Sequence, residues 1–519
     1  MNRVLCGLAA NVALPSELVD RLIAVADADA DVAMELAGRA DLSHAQAVAL
    51  ASRVEESAVR LVYEGRLTAA DVDPAAQPHA ALALLGERSG RAEWAFLFAR
   101  DPVSERREKL AACPGLPSDV VETLAADPDV QVVAELALWT TPEVATGLAG
   151  HPHAEVRRAV AANESTPPAV LTALISGEGL PPARRCLVCD RDRDRDRRQT
   201  PSTCDRHCRR HDFGLPPGAS CDGSHESTVH DIQQAALRNP ATPTEAVVGF
   251  AGHSSMLLRR ALAARPDLPP EACRRLAPDT VPGVRADLAE NPAIDEPLIR
   301  ALADDTDHNV RRGLAHNPNV PLDVLVHLAV ATRIGATLLP RIAAASPAEA
   351  EELAQSPNPA ARMLLAQRRD LPAEIRDILA TDPDAKVAKS IAPHPGLSEA
   401  QLRAMVDRHG VRVVAKAAAN PDATPTLLED LARHEPPVQK AFREIARHRS
   451  ATAPALLACL ADKQARPIAA GHPALPPPVI VELLMDADRQ VVEAAAANPS
   501  LPRAVMPDLV PWLTCPAAN

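Results

Sequence analysis

Aromatic residues and glycine are both scarce in this 519-residue chain. Trp, Tyr and Phe together make up 2% of the residues, so a packed interior has to consist of Ala, Leu and Val. The same scarcity removes the stacking platforms on which single-strand nucleic-acid binders depend. Only 21 glycines accompany 50 prolines, which excludes collagen, because collagen needs glycine at every third position. Such a proline excess predicts a structure that is interrupted at regular intervals.

Long apolar runs and excess positive charge are also missing. No apolar stretch approaches the roughly 20 residues that a membrane span requires, so we expect no contact with a membrane. Asn11, Leu14 and Pro15 fit the repeat described below, which favours a cytoplasmic protein over one with a signal peptide. The formal net charge of −13 disfavours non-specific binding of nucleic acid, which requires a basic surface.

A short repeat with a constant period runs along most of the chain. Its marker is the residue before the first proline of each copy, and this marker usually returns after 26 residues. Clear copies carry it at Cys113, Trp139, Asn163, Asn239, Arg265, Asn291, Asn317, His394, Asn420, His472 and Asn498. With the looser copies there are about seventeen repeats, a pattern typical of solenoids.

Each repeat predicts one helix and one shorter helical segment. A second proline, as in Pro243, Pro269 and Pro321, suits the first position of a helix, where its missing N–H has no consequence. An acidic break follows, and then a short apolar segment that the next Asn-Pro ends, because proline disfavours helix in the residue before it. No alternating pattern of β-branched residues is present, so we predict an all-α solenoid without a sheet.

The repeat resembles the leucine-rich repeat variant family. That family has the elements N-P-x-x-P, L-x-x-L-A and V-R-x-x-V/L-A, which occur here in Asn317-Pro318 with Pro321, in Leu276-Ala277, and in Val310-Arg311 with Leu314-Ala315. The resemblance implies α-helices that alternate with 3₁₀ segments in a right-handed superhelix. It also implies an iron–sulfur domain ligated by cysteines, which some members carry.

One insertion interrupts the repeats. Asn163 and Asn239 are 76 residues apart, so after one normal repeat an insertion of about 50 residues remains. We therefore predict N-terminal repeats over 1–175, a cysteine-rich insertion over 176–228 and C-terminal repeats over 229–519. The insertion has few apolar residues, so a bound metal would supply the folding energy that burial cannot.

The cysteines of the insertion predict a metal centre. They form a C-x2-C pair and a C-x3-C pair separated by a loop, a spacing that offers four thiolates to one metal. The candidate ligands are Cys186, Cys189, Cys204, Cys208, Cys221 and His225. The residues leave an iron–sulfur cluster and zinc both open, and the alternative is a disordered insertion with incidental thiols.

A local match bears on the choice of metal. The segment 221–225 resembles the signature of CDGSH-type two-iron proteins, which implies Cys221 and His225 as ligands. The remaining cysteines are interpreted as inert core or terminal thiols, namely Cys6, Cys113, Cys273, Cys459 and Cys515.

Arginines recur in the second segment of the repeats and would align in a stripe. Arg259, Arg285, Arg311 and Arg362 are the clearest candidates for contact with a partner, and ion pairing between repeats is the alternative. The recurring Asn residues are interpreted as scaffold, with side chains that bond the turn backbone. Aspartates recur just before the arginine stripe, as at Asp127, Asp304 and Asp382.

These observations predict a non-enzymatic scaffold that binds a protein partner along its curved surface. No nucleotide-binding loop, nucleophile elbow or catalytic carboxylate pair occurs at motif spacing, so we expect no enzyme activity. Two alternatives remain: a metal- or redox-responsive regulator, and a nucleic-acid-binding solenoid that uses the arginine stripe.

Overall fold

The computed structural model describes residues 2–181, 183, 185–186, 226–335 and 337–510. Throughout these residues the secondary structure is helical, and no strand forms apart from one isolated parallel bridge between His153 and Arg185. This confirms the prediction of an all-α repeat fold. Within the same ranges, no helix has the length and apolar character that a membrane span would need.

The chain divides into two compact units. The central unit is Asp73–Ile334. Its α-helices are Pro78–Gly86, Ala92–Phe98, Ser104–Ala111, Ser118–Ala125, Val130–Trp139, Pro142–Leu148, Ala154–Ala162, Pro168–Ser176, Glu226–Arg238, Thr244–Val247, Met256–Ala263, Pro270–Leu276, Pro282–Glu290, Glu296–Ala303, His308–His316 and Leu322–Ala331.

The terminal unit combines the residues up to Val72 with those from Gly335 onward. Its α-helices are Asn2–Ala10, Ser16–Val25, Ala30–Ala37, His44–Ala51, Glu55–Tyr63, Pro340–Ala343, Pro347–Gln355, Pro359–Leu365, Ala373–Ala380, Ala385–Ile391, Glu399–His409, Val411–Ala418, Pro425–Ala432, Gln439–Arg447, Ala453–Cys459, Arg466–Ala470, Pro477–Leu483, Arg489–Ala497 and Met506–Leu509. The three-part division predicted from the sequence depends on the insertion at 176–228. Most of that insertion lies outside the described residues, so the division stays a prediction.

Each repeat contains two short α-helices, which we call the first helix and the second helix. In the repeat that starts at Asn291 they are Glu296–Ala303 and His308–His316, with only residues 304–307 between them. We expected a shorter second segment, and the resemblance implied 3₁₀ helices there. This was wrong, because so short a break leaves room for nine residues of α-helix. In the described ranges 3₁₀ helices occur at Ala26–Ala28 and Val248–Gly252.

Proline and asparagine mark the ends of these helices. Pro243, Pro269 and Pro321 are N-caps with φ between −58° and −66°, one residue earlier than the predicted first helical position. The N-cap also requires no intrahelical N–H donor, so proline fits it equally well. Asn291 and Asn317 adopt extended conformations with ψ of 126° and 125°, which confirms that the Asn-Pro step ends the second helix.

Second helices of neighbouring repeats pack very closely. A Cβ atom at Gly313 would lie 2.7 Å from the backbone oxygen of Ala286 in the preceding second helix. Such close approach explains why the interior consists of Ala, Leu and Val, as the composition predicted. Of the described aromatic side chains, Trp94 and Phe98 are buried, at 5% and 1% exposure.

The marker residues join successive repeats by hydrogen bonds, and we call this array the turn ladder. Nδ2 of Asn317 donates to the backbone oxygens of Ala289 and Asn291, at 3.0 and 2.7 Å. Its Oδ1 accepts from the backbone N–H of Asn319 at 2.8 Å. One buried carboxamide therefore shapes its own turn, as predicted, and also satisfies two carbonyls of the preceding repeat, which the sequence did not reveal.

Other donors replace asparagine in the turn ladder. Arg265 Nη1 donates to the backbone oxygens of Leu237 and Asn239, at 2.8 and 3.0 Å. His394 Nε2 bonds Ala366 O at 2.9 Å. Burial lowers the pKa of His394 to about 4, which keeps the ring neutral in the interior. Arginine and histidine therefore supply the same N–H donation at this position as asparagine does.

The turn ladder continues across the insertion. Asn239 Nδ2 donates to the backbone oxygens of Ala161 and Asn163, at 2.9 and 2.8 Å, although 76 residues separate the two asparagines. The repeats before and after the insertion thus stack directly on one another. The repeat register is therefore the same on both sides of the insertion.

Inside the terminal unit, the turn ladder also joins the N-terminal repeat to the C-terminal one. Asn11 Nδ2 donates to the backbone oxygens of Ala496 and Asn498, at 2.9 and 2.8 Å. A Cβ at Gly7 would lie 2.2 Å from Glu493 O, so the helices Asn2–Ala10 and Arg489–Ala497 pack as closely as consecutive second helices do.

We predict that Asn317→Ala destabilises the protein by about 3 kcal/mol, because it strands two carbonyls and one N–H without partners. Urea unfolding followed by circular dichroism measures the difference. Asn309→Ala is the matched control, since Asn309 is an exposed residue of the helix that precedes Asn317, and we expect it to be neutral or slightly stabilising. Equal effects of the two substitutions would contradict the turn ladder as a source of stability.

Candidate functional site

One candidate metal ligand, Cys186, lies within the described residues. It is 1% exposed and packs with Ala154 and Ala183, beside Ile232. Its position is fixed because the backbone of Arg185 exchanges hydrogen bonds with Pro152 and Ala154, at 3.1 and 3.0 Å. Cys189, Cys204, Cys208, Cys221 and His225 lie outside the described residues, so the predicted ligand set stays a prediction.

The start of the insertion is attached to the repeat stack. Arg157, a buried residue of the helix Ala154–Ala162, donates to Pro181 O at 2.6 Å and to His151 O at 2.7 Å. Together with the bridge at Arg185, this contact places Cys186 against the first turn of that helix. A metal held through Cys186 would therefore touch the scaffold directly.

Four cysteines outside the insertion are core thiols, as predicted. Cys6, Cys113, Cys273 and Cys459 are all buried. Burial raises the pKa of Cys113 to about 11 and that of Cys459 to about 12, so these thiols are protonated and unreactive at neutral pH. The fifth, Cys515, lies outside the described residues.

A second group of ligand-type atoms occurs in the terminal unit. Cys6, Asp29 and Asp31 place one ligand atom each within 4.8 Å of one another. Burial, followed by the nearby carboxylate of Asp29, raises the pKa of Cys6 to about 11. The protonated thiol is a poor metal ligand, so we assign no metal site there.

Three of the four candidate partner-binding arginines form ion pairs between repeats. Each guanidinium donates two hydrogen bonds to an aspartate of the next repeat, at a constant sequence separation of 20. The pairs are Arg259–Asp279, Arg285–Asp305 and Arg362–Asp382, with shortest distances of 2.6, 2.7 and 2.6 Å. The arginine side chains are 13–15% exposed. Ion pairing, one of the two interpretations drawn from the sequence, thus describes these three residues.

The fourth arginine differs. Arg311 Nε donates to Thr332 Oγ1 at 2.8 Å, and its Nη1 donates to Asp305 O. Arg285 makes the corresponding backbone bond to Asp279 O at 2.7 Å. Each arginine therefore joins its own loop to the loop of the next repeat, and we call this array the Arg–Asp ladder.

The Arg–Asp ladder also sets the charge state of its acids. The Arg285 guanidinium donates to Asp305 and lowers the pKa of this carboxyl, assisted by the backbone N–H of Asp307.

The partners of Arg259 and Arg285 were missed in the sequence. The constant separation from Arg to Asp, which is again 20 in Arg107–Asp127, is the signal that could have found them.

Three clefts on the described surface lie between helices of neighbouring repeats. Their volumes are about 260, 400 and 340 Å³. The lining is mixed in all three: the first cleft contains Glu164 and Asp231, the second contains Ser16 and Ser43, and the third contains five cationic side chains.

No family model matches the chain, and no curated protein matches it by sequence. Among solved structures, a leucine-rich repeat variant described as having a novel repetitive structural motif is 18% identical, covering 54% of this chain and 88% of its own, with a TM-score of 0.29. The crystal structure of an engineered protein is 17% identical, covering 96% and 93%, with a TM-score of 0.12. Both TM-scores are too low for either structure to support a fold assignment. The assignment of an all-α repeat fold therefore depends on the helices and ladders of this chain alone.

We predict that Asp305→Asn lowers the free energy of unfolding by about 1–2 kcal/mol at pH 7, because a charge-assisted pair is lost. The folded-state pKa of Asp305 is lowered, so its contribution is present at neutral pH and disappears as the pH falls below about 4. Urea unfolding at pH 7 and pH 3 measures both values.

Asp304→Asn is the control for this experiment. The Asp304 side chain is 84% exposed and lies 3.7 Å from His327, so the substitution should change stability by less than about 0.5 kcal/mol at either pH. A destabilisation by Asp305→Asn that is equally large at pH 3 would show that the ion pair is not its cause.

Proposed function

We propose that this protein is a non-enzymatic helical-repeat scaffold that binds a protein partner along its stacked second helices. The observation that supports this function is the continuity of the stack within each unit, where the turn ladder joins neighbouring repeats. Neighbouring second helices present their outward side chains side by side, so several repeats together offer one extended surface. Repeat proteins commonly use such surfaces to bind other macromolecules.

The acidic composition favours a protein over a nucleic acid as the partner. A net charge of −13 opposes the broad phosphate contact that nucleic-acid binding requires. In the Arg–Asp ladder the guanidinium groups of Arg259, Arg285 and Arg362 are already neutralised by carboxylates. Those arginines would have to give up buried ion pairs before they could bind phosphate.

Affinity purification from native cell extract, followed by reconstitution of the complex with the captured protein, tests the scaffold function. Hydrogen–deuterium exchange of the complex should show protection that extends over the second helices of at least two neighbouring repeats. Protection confined to one cleft, or conversion of a small molecule by the purified protein, would contradict a scaffold.

A metal centre in the insertion is the second part of the proposal. Cys186 is held against the helix Ala154–Ala162 by backbone hydrogen bonds and by Arg157, so a metal bound there would be coupled to the repeat stack. This attachment supports a role in which the state of the metal affects the scaffold. Cys189 and two of Cys204, Cys208, Cys221 and His225 would complete the ligand set.

We expect protein purified without oxygen to contain one metal centre, and Cys189→Ser to abolish it, because a hydroxyl is a far poorer ligand than a thiolate. Elemental analysis measures the metal, and visible absorbance distinguishes an iron–sulfur cluster from colourless zinc. Cys186→Ser should have the same effect. Most of the helical signal should remain, because the repeats are stabilised by stacking.

Cys273→Ser is the matched control, since Cys273 is a buried thiol of the central unit and should leave the metal content unchanged. Absence of any metal from anaerobically prepared protein, together with free alkylation of Cys189, Cys204, Cys208 and Cys221, would refute the metal centre. The scaffold function would be unaffected by that result.

A further inference from the structure

A basic cleft crosses three consecutive repeats of the terminal unit. It lies along the second helices Ala385–Ile391, Val411–Ala418 and Gln439–Arg447 and has a volume of about 340 Å³. Five cationic side chains line it, and we call this surface the basic groove: Lys389, Arg412, Lys416, Lys440 and Arg443. Such a concentration of positive charge is unexpected in a protein with a net charge of −13.

The cations of the basic groove are not neutralised within the protein. Four of them are exposed and Arg443 is half-buried. None of the five side chains forms an ion pair or donates a hydrogen bond to any residue in the described part of the chain. The one acid in the lining, Glu444, lies 3.8 Å from Arg447 instead. The groove thus differs from the Arg–Asp ladder, whose arginines are paired.

The lack of neutralisation has a cause in the repeat pattern. Asp382 and Asp486 occupy the acidic position of the Arg–Asp ladder and bind Arg362 and Arg466. In the three repeats between them, the same position is occupied by Arg408, Pro436 and Leu460 in turn. The Arg–Asp ladder therefore lacks its acid in the two groove repeats that carry Arg412 and Lys440 and in the repeat after them, whereas the first groove repeat keeps Asp382, which is paired with Arg362.

Ladder arginines are absent there as well. Ala388 and Val414 occupy the positions that correspond to Arg362, while the lysines and arginines of the groove sit one or two residues away and point outward. The ion pairs of the Arg–Asp ladder are therefore absent from these second helices, which carry exposed cations instead. A surface of this kind attracts anionic groups in preference to cationic ones.

The walls of the groove favour a peptide over a nucleic acid. Val411, which is 48% exposed, lines the groove together with Ala415 and Val438. These side chains offer apolar contacts among the cations. The lining contains no aromatic residue on which a base could stack.

We propose that the basic groove binds an acidic, extended segment of a partner protein. This inference rests on the proposed scaffold function and identifies one surface that carries it. Neighbouring helices pack about 8–10 Å apart, so the three helices span about 20 Å. An extended chain rises about 3.3 Å per residue, so about six residues, with Asp or Glu beside one apolar residue, would fill the groove.

Fluorescence anisotropy with a labelled synthetic peptide of about eight residues, rich in Glu with one central Leu, tests this proposal. The wild-type protein should bind it, and added salt should weaken binding by screening the charges. The double substitution Arg412→Glu and Lys440→Glu should weaken binding about tenfold or more. Both residues lie in the first turn of their helices, where Glu is compatible with the helix dipole.

A matched control carries the same change in net charge elsewhere. Arg312 and Arg489 are exposed and form no ion pair with other described residues, and their replacement by Glu should change peptide affinity less than about twofold. Circular dichroism should show equal helicity for both double variants. Equal loss of affinity in the two variants would overturn the assignment of the groove.

Three further outcomes distinguish failure of the groove from failure of the scaffold function. Tighter binding of single-stranded oligothymidylate than of the peptide, lost in the groove variant, would overturn the choice of an acidic protein segment. Capture of the reconstituted partner by the groove variant with unchanged affinity would overturn the groove but leave the scaffold function standing. Failure of the wild-type protein to capture any partner would instead count against the scaffold function.

Discussion

Burial of the inter-repeat turns is the constraint on which the rest of the structure depends. Close packing of second helices removes water from backbone carbonyls at the ends of those helices, and each such carbonyl needs a donor. The carboxamide of Asn317 serves two of them and also accepts an N–H from its own turn. At Asn317 one side chain meets this requirement for two repeats at once, and Arg265 and His394 show which substitutes the position tolerates.

Because the turn ladder joins neighbouring repeats, the residues on the outer surface of the second helices can differ from repeat to repeat. Arg285 and Asp305 use that surface for an ion pair that joins adjacent loops. In the repeats that carry Arg412 and Lys440 the pairing is absent, yet the turn ladder continues through Asn420, which bonds Ala392 O and His394 O. Stability and recognition thus depend on different residues of the same repeat, and one can change without loss of the other.

The sequence predicted the repeat period, the helix-ending role of Asn-Pro and the aliphatic core, because these follow from local chemistry. It did not predict the bonds from Asn317 to the preceding repeat or the partners of Arg259 and Arg285, because they join residues 20 to 28 positions apart. The α-helical second segment was missed although Val310 and Leu314 lie four positions apart, a spacing typical of an α-helix rather than of a 3₁₀ helix. For the metal centre, Cys186 alone lies in the described part of the chain, and its burial says nothing about the other ligands.

The bonds from Asn11 to Ala496 and Asn498 have a consequence for biosynthesis. Residues 2–11 leave the ribosome several hundred residues before their partners, with a sequence separation of 485 to the nearer one. Apart from the two repeats on either side of the insertion, each interior repeat meets its neighbour as soon as about 26 more residues are translated. The face of the helix Asn2–Ala10 that carries Gly7 therefore stays without its native contact until the helix Arg489–Ala497 has emerged, so the terminal unit completes its folding only late in translation.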